Sequence, residues 1–401
     1  MKTGITLEEA VSLIREHTAP LPPERAVGAE LLDRVLAEDL AAPMDQPPFD
    51  RSPLDGYALI AADTRGAGRG HPARLEVVDT VYAGGWPQAT VRPGQCARIM
   101  TGAPIPAGAD CVIRQEDTDQ GQPCVQVYQE LRRHENYCFA GEDYQKGSVL
   151  LAAGTMMDAA ALGVLAGAGL WERPLAAHPK PRVLLAGTGD ELAQPGEALK
   201  PGQIYNSNLP QLAARCRQLG IGCDTVWWPD DPQAVADGLK EGTRRFDCVI
   251  TTGGVSVGEK DIFHQALPLA GAERLFWRVK LKPGTPLMFS LLEGKPVLSL
   301  SGNPFAAAAT FELLARPMLA ALAGQRDWAP VTVSAPLATS FPKASGGRRF
   351  VRGLYRDGAV TVPEGHSSGQ LRSQVGCNCL VDIPAGSPPL EAGTIIKAVL
   401  L

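Results

Sequence analysis

The spacing of apolar and polar residues changes several times along the chain. Residues 1–40 place apolar residues at helical spacing among charges, whereas 41–149 are rich in Pro, Gly and Val, with short strand-like runs such as RLEVVDTVYAG and CVQVYQEL. Between 179 and 325 a strand, a turn and a helix recur in that order, which indicates an α/β domain with a mostly parallel sheet. Short strands with glycine and proline turns return in 328–401, and they predict a β domain there.

Two further segments have helical patterns. Thr6 followed by Glu9 is a capping box, and an apolar stripe of Leu7, Ala10, Val11 and Ile14 overlaps it, so a helix is predicted. The stretch 156–171 is more apolar, but it is too short and glycine-rich to span a bilayer and contains Asp158. We expect a buried helix there. The fold prediction is a multidomain α/β plus β protein, with a helical, elongated domain at 1–40 and 150–178, an inserted β-rich domain at 41–149, the α/β domain at 179–325 and the C-terminal β domain at 328–401.

Charge and cysteine content limit the classes of partner and compartment. The chain has 401 residues, a formal net charge of −5 and no run of basic residues, which argues against nucleic acid as the main partner. The nine cysteines form no CxxC pair and no zinc-type spacing, so we expect free thiols in a reducing cytoplasm. Charges interrupt the apolar pattern of the first helix, unlike the core of a signal peptide, and no membrane association is expected.

Three apolar runs of the α/β segment lead into polar turns that contain glycine: RVLLAGTGDEL (182–192), CVITTGGVS (248–256) and PVLSLSGNP (296–304). The carboxyl ends of parallel strands lie at one edge of a sheet, so we expect these turns to converge. Glycines let the backbone approach a ligand, hydroxyl and N–H groups bind anions, and carboxylates bind hard cations. An anion with Mg²⁺ is the predicted occupant. Neither a Walker P-loop nor a complete dinucleotide-binding fingerprint occurs.

Eight short motifs occur in the order found in one enzyme family. They are SPLDGYA (52–58), RIMTGAPIPAGAD (98–110), GED (141–143), GTGDEL (187–192), TTGGVSVGEKD (251–261), KPGTPL (282–287), SGNP (301–304) and NCLVDIPAG (378–386). By these motifs, which extend over nearly the whole chain, the sequence resembles the molybdopterin molybdotransferase family, of the MoeA or gephyrin E-domain type. The first two motifs are specific to that family, whereas TTGG and GDE are shared with molybdopterin adenylyltransferases. The resemblance implies a molybdopterin-binding α/β domain and a β-barrel-like C-terminal domain.

The resemblance also implies an activity. Enzymes of this family cleave the pyrophosphate of adenylylated molybdopterin with Mg²⁺, release AMP and place the substrate molybdate on the dithiolene sulfurs. They are homodimers with the active site between subunits, and molybdopterin adenylyltransferase and molybdoenzyme maturation factors are expected as further partners. Two alternatives stay open for this chain: the adenylyltransferase itself, which shares the α/β turns, and a non-catalytic pterin-binding or scaffold homologue.

The resemblance assigns roles to particular positions, in the motifs and in the further segments WPDDP, FWRVKLKPG, FVRG and GHSSGQL. The implied catalytic residues are Asp55, Thr101, Asp143, Glu191, Asp230, Asp261 and Lys282, and the implied Mg²⁺ ligands are Asp190, Glu191, Asp230 and Asp261. The implied substrate-binding residues are Thr252, Gly253, Gly254, Ser256, Arg278, Lys280, Asn303, Pro304, Arg352 and Ser368. Structural roles are the alternative: a helix cap for Glu191 and Asp261, a turn for Asp55 and Asp230, and an exposed surface position for Lys282 and Arg352.

The segment before GED departs from the family pattern. Where the family has arginine, this chain reads ENYCFAGED, with Cys138, Phe139 and Ala140. Positive charge is therefore missing there, and Arg278 or Lys280 could replace it, although a guanidinium and an ammonium are different donors. Cys138 is either a small buried residue or a functional thiol.

Overall fold

The computed structural model describes residues 1–193, 196–255, 262–325, 329–365 and 367–401. The chain divides into two compact units. The first contains Met1–Ala37, Gly154–Ala159 and Pro174–Leu401, and the second contains Glu38–Ala153 and Ala160–Arg173. The α-helices are, in chain order, α1 Leu7–Glu16, α2 Ala159–Gly167, α3 Asn208–Gln218, α4 Pro232–Arg245, α5 Phe263–Ala270, α6 Pro304–Thr310 and α7 Arg316–Leu322. The four domain boundaries given above stay a prediction.

A seven-stranded sheet organises the first unit. Its strands, in chain order, are β1 Lys2–Ile5, β2 Val183–Thr188, β3 Cys223–Trp228, β4 Cys248–Thr252, β5 Glu273–Val279, β6 Met288–Leu292 and β7 Lys295–Leu300. Their spatial order is β1-β5-β6-β7-β4-β2-β3. Strands β7, β4, β2 and β3 are parallel neighbours, and β1 is parallel to β5. Only β6 runs antiparallel to its neighbours, so the prediction of a mostly parallel sheet is confirmed.

Helices cover both faces of this sheet, which explains why its central strands are continuous apolar runs. Successive side chains of a strand point to opposite faces. Leu185 of β2 and Ile250 of β4 belong to the core formed with α1, α3, α6 and α7. Leu184 and Val249, their neighbours in sequence, belong to the core formed with α4 and α5. Burial on both faces leaves the strand ends as the place where this sheet can meet a ligand.

The two helical predictions of the N-terminal half have different outcomes. The capping box of α1 is confirmed, because Thr6 Oγ1 accepts from Glu9 N at 3.2 Å and Thr6 N donates to Glu9 Oε2 at 2.8 Å. The buried helix predicted at 156–171 is wrong in extent and burial, since α2 ends at Gly167 and buries only Ala161 and Leu165. Its apolar composition comes mainly from alanine and glycine, which form no single stripe that must face a core.

One helical stretch of the described residues, Pro304–Leu322, is long and apolar enough by composition to cross a membrane, and 83% of its apolar window is buried inside the protein. It consists of α6, a π-helical turn at Phe311–Ala315 and α7. Phe311, Leu314 and Met318 are core residues, so this stretch is a helix of the protein interior.

The C-terminal strands form an antiparallel five-stranded sheet. Their spatial order is Thr332–Pro336, Ile395–Leu400, Cys379–Ile383, Arg349–Arg356 and Ala359–Thr361. A bridge between Leu337 and Val360 joins the two edges of the sheet, which is therefore nearly closed. Phe341, Val351 and Val381 lie in its core. The predicted β-barrel-like domain is confirmed.

The second unit is also built on a five-stranded sheet. Its spatial order is Cys111–Arg114, Gly56–Leu59, Gln95–Ile99, Gly68–Val81 and Cys124–Gln129, which confirms the β-rich prediction. Short pairings complete both units. Leu175–His178 pairs with Glu24–Ala26 and Val35–Leu36, Leu192–Ala193 pairs with Ile204–Tyr205, and Leu40–Ala41 pairs with Val149–Leu151.

Candidate functional site

The three glycine-containing turns of the central sheet lie around one cavity of about 570 Å³, as predicted from the strand ends. The first turn contributes Thr188, Gly189 and Glu191, the second contributes Thr252, Gly253 and Gly254, and the third contributes Ser301, Gly302, Asn303 and Pro304. We call this the turn cavity. Its lining unites five of the predicted site residues from turns two and three with Glu191 and Asp230.

Glycine is required where two of these turns touch. Gly253 has a φ of +102°, and a Cβ at this position would lie 2.6 Å from the carbonyl oxygen of Thr188. A Cβ on Gly302 would lie 3.3 Å from Gly253 Cα. Any larger residue at Gly253 would push the first and second turns apart, so glycine fixes the width of the turn cavity.

Asn208, the first residue of α3, joins the second and third turns. Its Nδ2 donates to Thr252 Oγ1 and to Gly302 O, each at 2.8 Å. Thr252 Oγ1 in turn donates to Ser301 O at 3.0 Å. Sequence reasoning missed Asn208, although the polar run YNSN directly before a helix was a usable signal.

Several buried polar atoms around the turn cavity have no hydrogen-bond partner within the described part of the chain. They are Thr188 Oγ1, Asn206 Nδ2 and Asn208 Oδ1, and all three residues line the cavity. A buried polar atom without a partner costs about 1–3 kcal/mol. A polar ligand that offers both donors and acceptors would recover this cost, so the cavity is suited to such a ligand.

A pair of carboxylates stands where β2 and β3 end. Asp190 N donates to Asp230 Oδ2 at 3.3 Å, and Asp230 N donates to Asp190 Oδ1 at 3.2 Å. One structural alternative fails here, because Glu191 caps no helix: the strand Leu192–Ala193 follows it. Asp231, the neighbour of Asp230, caps α4 by accepting from Ala234 N at 2.7 Å.

The carboxylate pair fits a magnesium ion. Within the described ranges no three His, Cys, Asp or Glu side chains are grouped to hold a metal. Mg²⁺ nevertheless needs only one or two carboxylates when waters and a phosphate complete its octahedron. Asp190 and Asp230 supply such a pair, and Asp230 lines the turn cavity together with Glu191. The other predicted ligand, Asp261, and the predicted substrate-binding Ser256 lie outside the described residues.

A second cavity of about 400 Å³ adjoins the turn cavity and shares Pro286, Ser301 and Asn303 with it. Its lining includes three cationic side chains, Lys282, Lys343 and Arg349, together with the polar turn that carries Ser367 and Ser368. We call this the cationic cavity. It brings together three predicted residues, Lys282, Asn303 and Ser368. Sequence reasoning missed Lys343 and Arg349, and for Arg349 the only signal was the doubled arginine before a strand.

Three predicted substrate-binding residues line neither cavity within the described structure. Arg278 is exposed at the end of β5, with its guanidinium 5.4 Å from the centre of the Trp277 ring. Lys280 is exposed, and its N–H donates to Ile5 O at 2.8 Å. Arg352 is buried. Arg278 and Lys280 are therefore not part of the lining of either cavity, and their substrate-binding role stays a prediction.

Asp55 and Thr101 of the second unit form a hydrogen-bonded pair. Asp55 Oδ1 accepts from Thr101 N at 2.7 Å and from Thr101 Oγ1 at 2.8 Å. These two bonds, with the charge of Arg98, lower the pKa of Asp55 below its ordinary value. Asp143 lies in a separate exposed turn, where its N–H donates to Gln46 O at 2.9 Å. The exposed Asp55 is thus held as a carboxylate facing solvent.

The segment that lacks the family arginine is paired with Arg51. Arg51 and Cys138 exchange backbone hydrogen bonds at 2.9 and 3.1 Å. Burial and the neighbouring Glu142 raise the pKa of Cys138, while Arg51 opposes this rise. Cys138 is therefore a neutral thiol near neutral pH, which favours the structural reading, and a guanidinium is present beside it. All nine cysteines are free.

Comparison with known proteins gives the same assignment along the chain. Family models match the MoeA N-terminal region (domain I and II) over residues 5–169, a probable molybdopterin binding domain over 186–321 and the MoeA C-terminal region (domain IV) over 334–401. The molybdopterin molybdenumtransferases of Staphylococcus aureus (strain COL) and Staphylococcus epidermidis (strain ATCC 12228) are each 33% identical to this chain, covering 100% of it and 96% of their own length.

A solved structure extends the similarity to three dimensions. The molybdopterin biosynthesis MoeA protein from Pyrococcus horikoshii OT3 superposes with a TM-score of 0.85 at 29% identity, over 99% of this chain and 100% of that chain. The relatives at 33% identity match at full length. The chain therefore belongs to the molybdopterin molybdenumtransferase family and is a transferase of molybdenum cofactor biosynthesis.

Proposed function

We propose that this chain inserts molybdate into adenylylated molybdopterin with Mg²⁺ and releases AMP, acting as a homodimer in the cytoplasm. The observation that carries this proposal is the junction of the turn cavity and the cationic cavity, which share Ser301 and Asn303. One cavity offers unused polar groups and the carboxylates of Glu191 and Asp230, and the other offers lysine and arginine. A phosphorylated pterin and an oxyanion need these two environments side by side.

Repulsion between the reactants is the obstacle that such a site has to overcome. Two like unit charges ~4 Å apart repel by about 4 kcal/mol at an effective dielectric constant of 20. A hydrogen bond to a charged group returns about 1.5–3 kcal/mol. Several cationic donors are therefore needed around the oxyanion, and Lys282, Lys343 and Arg349 line the cationic cavity.

The residues divide into groups by chemistry. Asp190 and Asp230 would hold Mg²⁺, which supplies charge neutralisation at the pyrophosphate when bound. Thr252, Gly253, Gly254 and Pro304 face the phosphate and pterin side, where Thr188, Asn206 and Asn208 have unused polar atoms. Lys282, Arg349 and Ser368 face the oxyanion. Asp261 and Ser256 keep their expected roles as proposals, as do Asp55, Thr101 and Asp143, which we assign to the partner subunit's site.

AMP release by the purified full-length chain tests this proposal. With adenylylated molybdopterin, AMP is expected only when both Mg²⁺ and an oxyanion are present, and molybdate and tungstate are supplied in turn to identify the accepted anion. Asp230→Asn should lower the rate by roughly 100-fold, on the scale seen when metal coordination is disturbed. Asp224→Asn, within strand β3 and outside the cavity lining, is the matched control for Asp230, which follows the same strand.

Two results would contradict the proposal. Consumption of ATP without any adenylylated substrate would identify an adenylyltransferase. Tight binding of adenylylated molybdopterin, with no AMP released under any combination of Mg²⁺ and oxyanion, would identify a non-catalytic homologue.

A further inference from the structure

Arg352 occupies an unusual position for a cationic side chain. It lies in the strand Arg349–Arg356, opposite Leu380 of the neighbouring strand, and is only 1% exposed. The resemblance implies a substrate-binding role for Arg352, and the structural alternative was an exposed residue on the surface of a strand. Because Arg352 is 99% buried, it is not an exposed residue. Because it lines neither cavity, it is not placed to contact a substrate bound in one of them.

The guanidinium of Arg352 is held by backbone carbonyls and an aromatic ring. Nη1 donates to Gln370 O at 2.8 Å, and Nη2 donates to Ser367 O. The guanidinium carbon lies 4.1 Å from the centre of the Phe305 ring. Burial lowers the pKa of Arg352, but the guanidinium keeps its charge because its ordinary pKa is so high. The two carbonyls thus bond to the edge of the planar guanidinium, and the aromatic ring lies against its face.

The two carbonyls belong to an exposed turn, Ser367–Gln370, that forms part of the cationic cavity. Gln370 N closes the turn by donating to Ser367 O at 3.1 Å. Ser368 O accepts from Phe305 N at 3.1 Å, and Ser367 and Ser368 both line the cavity. Arg352 and Phe305 are therefore the anchors that connect this turn to the C-terminal sheet and to the start of α6.

We propose that Arg352 is a positioning residue that fixes the Ser367–Gln370 turn against Phe305, so that the turn presents its polar groups to the oxyanion bound beside Lys282 and Arg349. The inference rests on the proposed function for the identity of the anion. Arg349 and Arg352, three residues apart on one strand, thereby have different tasks. Arg349 meets the anion directly, and Arg352 acts through the turn.

A lysine at position 352 separates the two tasks. An ammonium keeps the charge, but it lacks the planar fork that can bond two carbonyls while stacking on a ring. If Arg352 acts through the turn, Arg352→Lys should be as defective as Arg352→Met. If Arg352 acted on the anion through its charge alone, lysine would restore most of the function.

The first measurement is hydrogen–deuterium exchange of the turn amides in the ligand-free full chain. Arg352→Lys and Arg352→Met should both accelerate exchange in Ser367–Gln370 by tenfold or more, while exchange in β2 and β4 stays at the wild-type rate. Arg349→Met should leave exchange in the turn unchanged. Unchanged exchange in both Arg352 variants would overturn the inference, whether or not the protein releases AMP.

The second measurement separates KM from kcat for molybdate in AMP release. Both Arg352 variants should raise the KM for molybdate about tenfold with a smaller change in kcat, and Arg349→Lys should retain part of the affinity lost in Arg349→Met. Recovery of the KM by Arg352→Lys would overturn the inference. If the Arg352 variants do not fold, Phe305→Leu provides the same test, with faster exchange expected in the turn because the ring anchor is lost.

Discussion

Individual side-chain hydrogen bonds connect the turns of this site to one another, and those of Asn208 are the clearest example. Its amide donates to a side chain of the second turn and to a carbonyl of the third, both at 2.8 Å. The two turns come from different strands, β4 and β7. The Asn208 amide therefore adds two bonds to the contact that Thr252 Oγ1 and Ser301 O already make between these turns.

Replacing Asn208 should weaken substrate binding more than it weakens folding. In Asn208→Ala both hydrogen bonds are lost, at about 1 kcal/mol each, so the KM for adenylylated molybdopterin should rise by up to about 30-fold. Asn378→Ala is the matched control, since its amide also bonds backbone, donating to Tyr355 O at 2.9 Å in the C-terminal sheet. Equal effects of the two variants on KM would contradict a specific role of Asn208.

Asp55 should control the acidic side of the pH–rate profile. Its pKa is lowered by Thr101, so it stays ionised to a pH below its ordinary range. Thr101→Val removes the hydroxyl donor and leaves the backbone N–H, which should raise the pKa of Asp55 part of the way back. The acidic limb of kcat/KM for AMP release should therefore move to higher pH, and Asp55→Asn should abolish that limb. An unmoved limb in Thr101→Val would exclude Asp55 as its origin.

Sequence could locate the motif residues but not the residues defined by packing. Gly253, Asn303 and Lys282 stand in recognisable turns, and the structure places them on the two cavities. Asn208 and Arg349 reach these cavities from outside the motifs, which only the fold reveals. The family resemblance singled out Arg352, yet its burial depends on how the turn at 367–370 folds over it.

At the scale of elements, the π-helical turn Phe311–Ala315 joins α6 to α7 and carries a buried carboxylate. Glu312 accepts from Arg215 Nε of α3 at 2.6 Å and from Arg316 Nη1 of α7 at 2.8 Å. Its side chain is 7% exposed. This carboxylate compensates two guanidinium groups at the contact between three helical segments.

Neutralising Glu312 should destabilise the fold. Removing one partner of a buried ion pair leaves uncompensated charge and costs on the order of 3 kcal/mol of unfolding free energy. Glu312→Gln should therefore lower the urea concentration at which half of the protein is unfolded. Glu241→Gln is the control, because Glu241 on α4 forms a 3.9 Å pair with Arg244 and is 59% exposed. Such surface pairs contribute about 0–1 kcal/mol. A midpoint unchanged by Glu312→Gln would show that the arginines find other partners.

The longer the apolar run of a strand, the more readily the strand could be predicted from the sequence. The strands β2, β4 and β7 are apolar runs of five or six residues, long enough to be read without a structure. The pairing of Leu192–Ala193 with Ile204–Tyr205 involves two residues on each side, too few to show any periodicity. The position of α3 after this pairing, and the exposure of α2, depended on tertiary contacts that no local pattern contains.

At the scale of the whole molecule, the homodimer is the proposal with the most direct test. Val164 on α2 is 37% exposed and Trp171, after the helix, is 38% exposed. A single exposed apolar residue is normal on a protein surface, whereas two that are close together in the chain are a candidate contact surface. We expect light scattering to show a dimer of the wild-type chain, and Val164→Glu to weaken it by at least tenfold in dissociation constant, because a buried charge opposes association.

The control for this experiment is Val375→Glu, at a residue of the C-terminal domain that is 85% exposed. It should leave the dimer unchanged. A wild-type chain that is monomeric at working concentrations would remove the proposal that Asp55, Thr101 and Asp143 serve the partner subunit's site.

The pairing of β1 with β5 sets a limit on when the central sheet can form during synthesis. Lys2 is in register with Phe276, and Ile5 with Val279. The ribosome therefore has to make more than two-thirds of the chain before the neighbour of β1 exists. Contacts between such distant residues slow folding, because a long loop must close first. An edge strand that stays unpaired during this time can pair with the strands of other chains and aggregate. Rapid synthesis or chaperone binding should therefore improve the yield of folded protein.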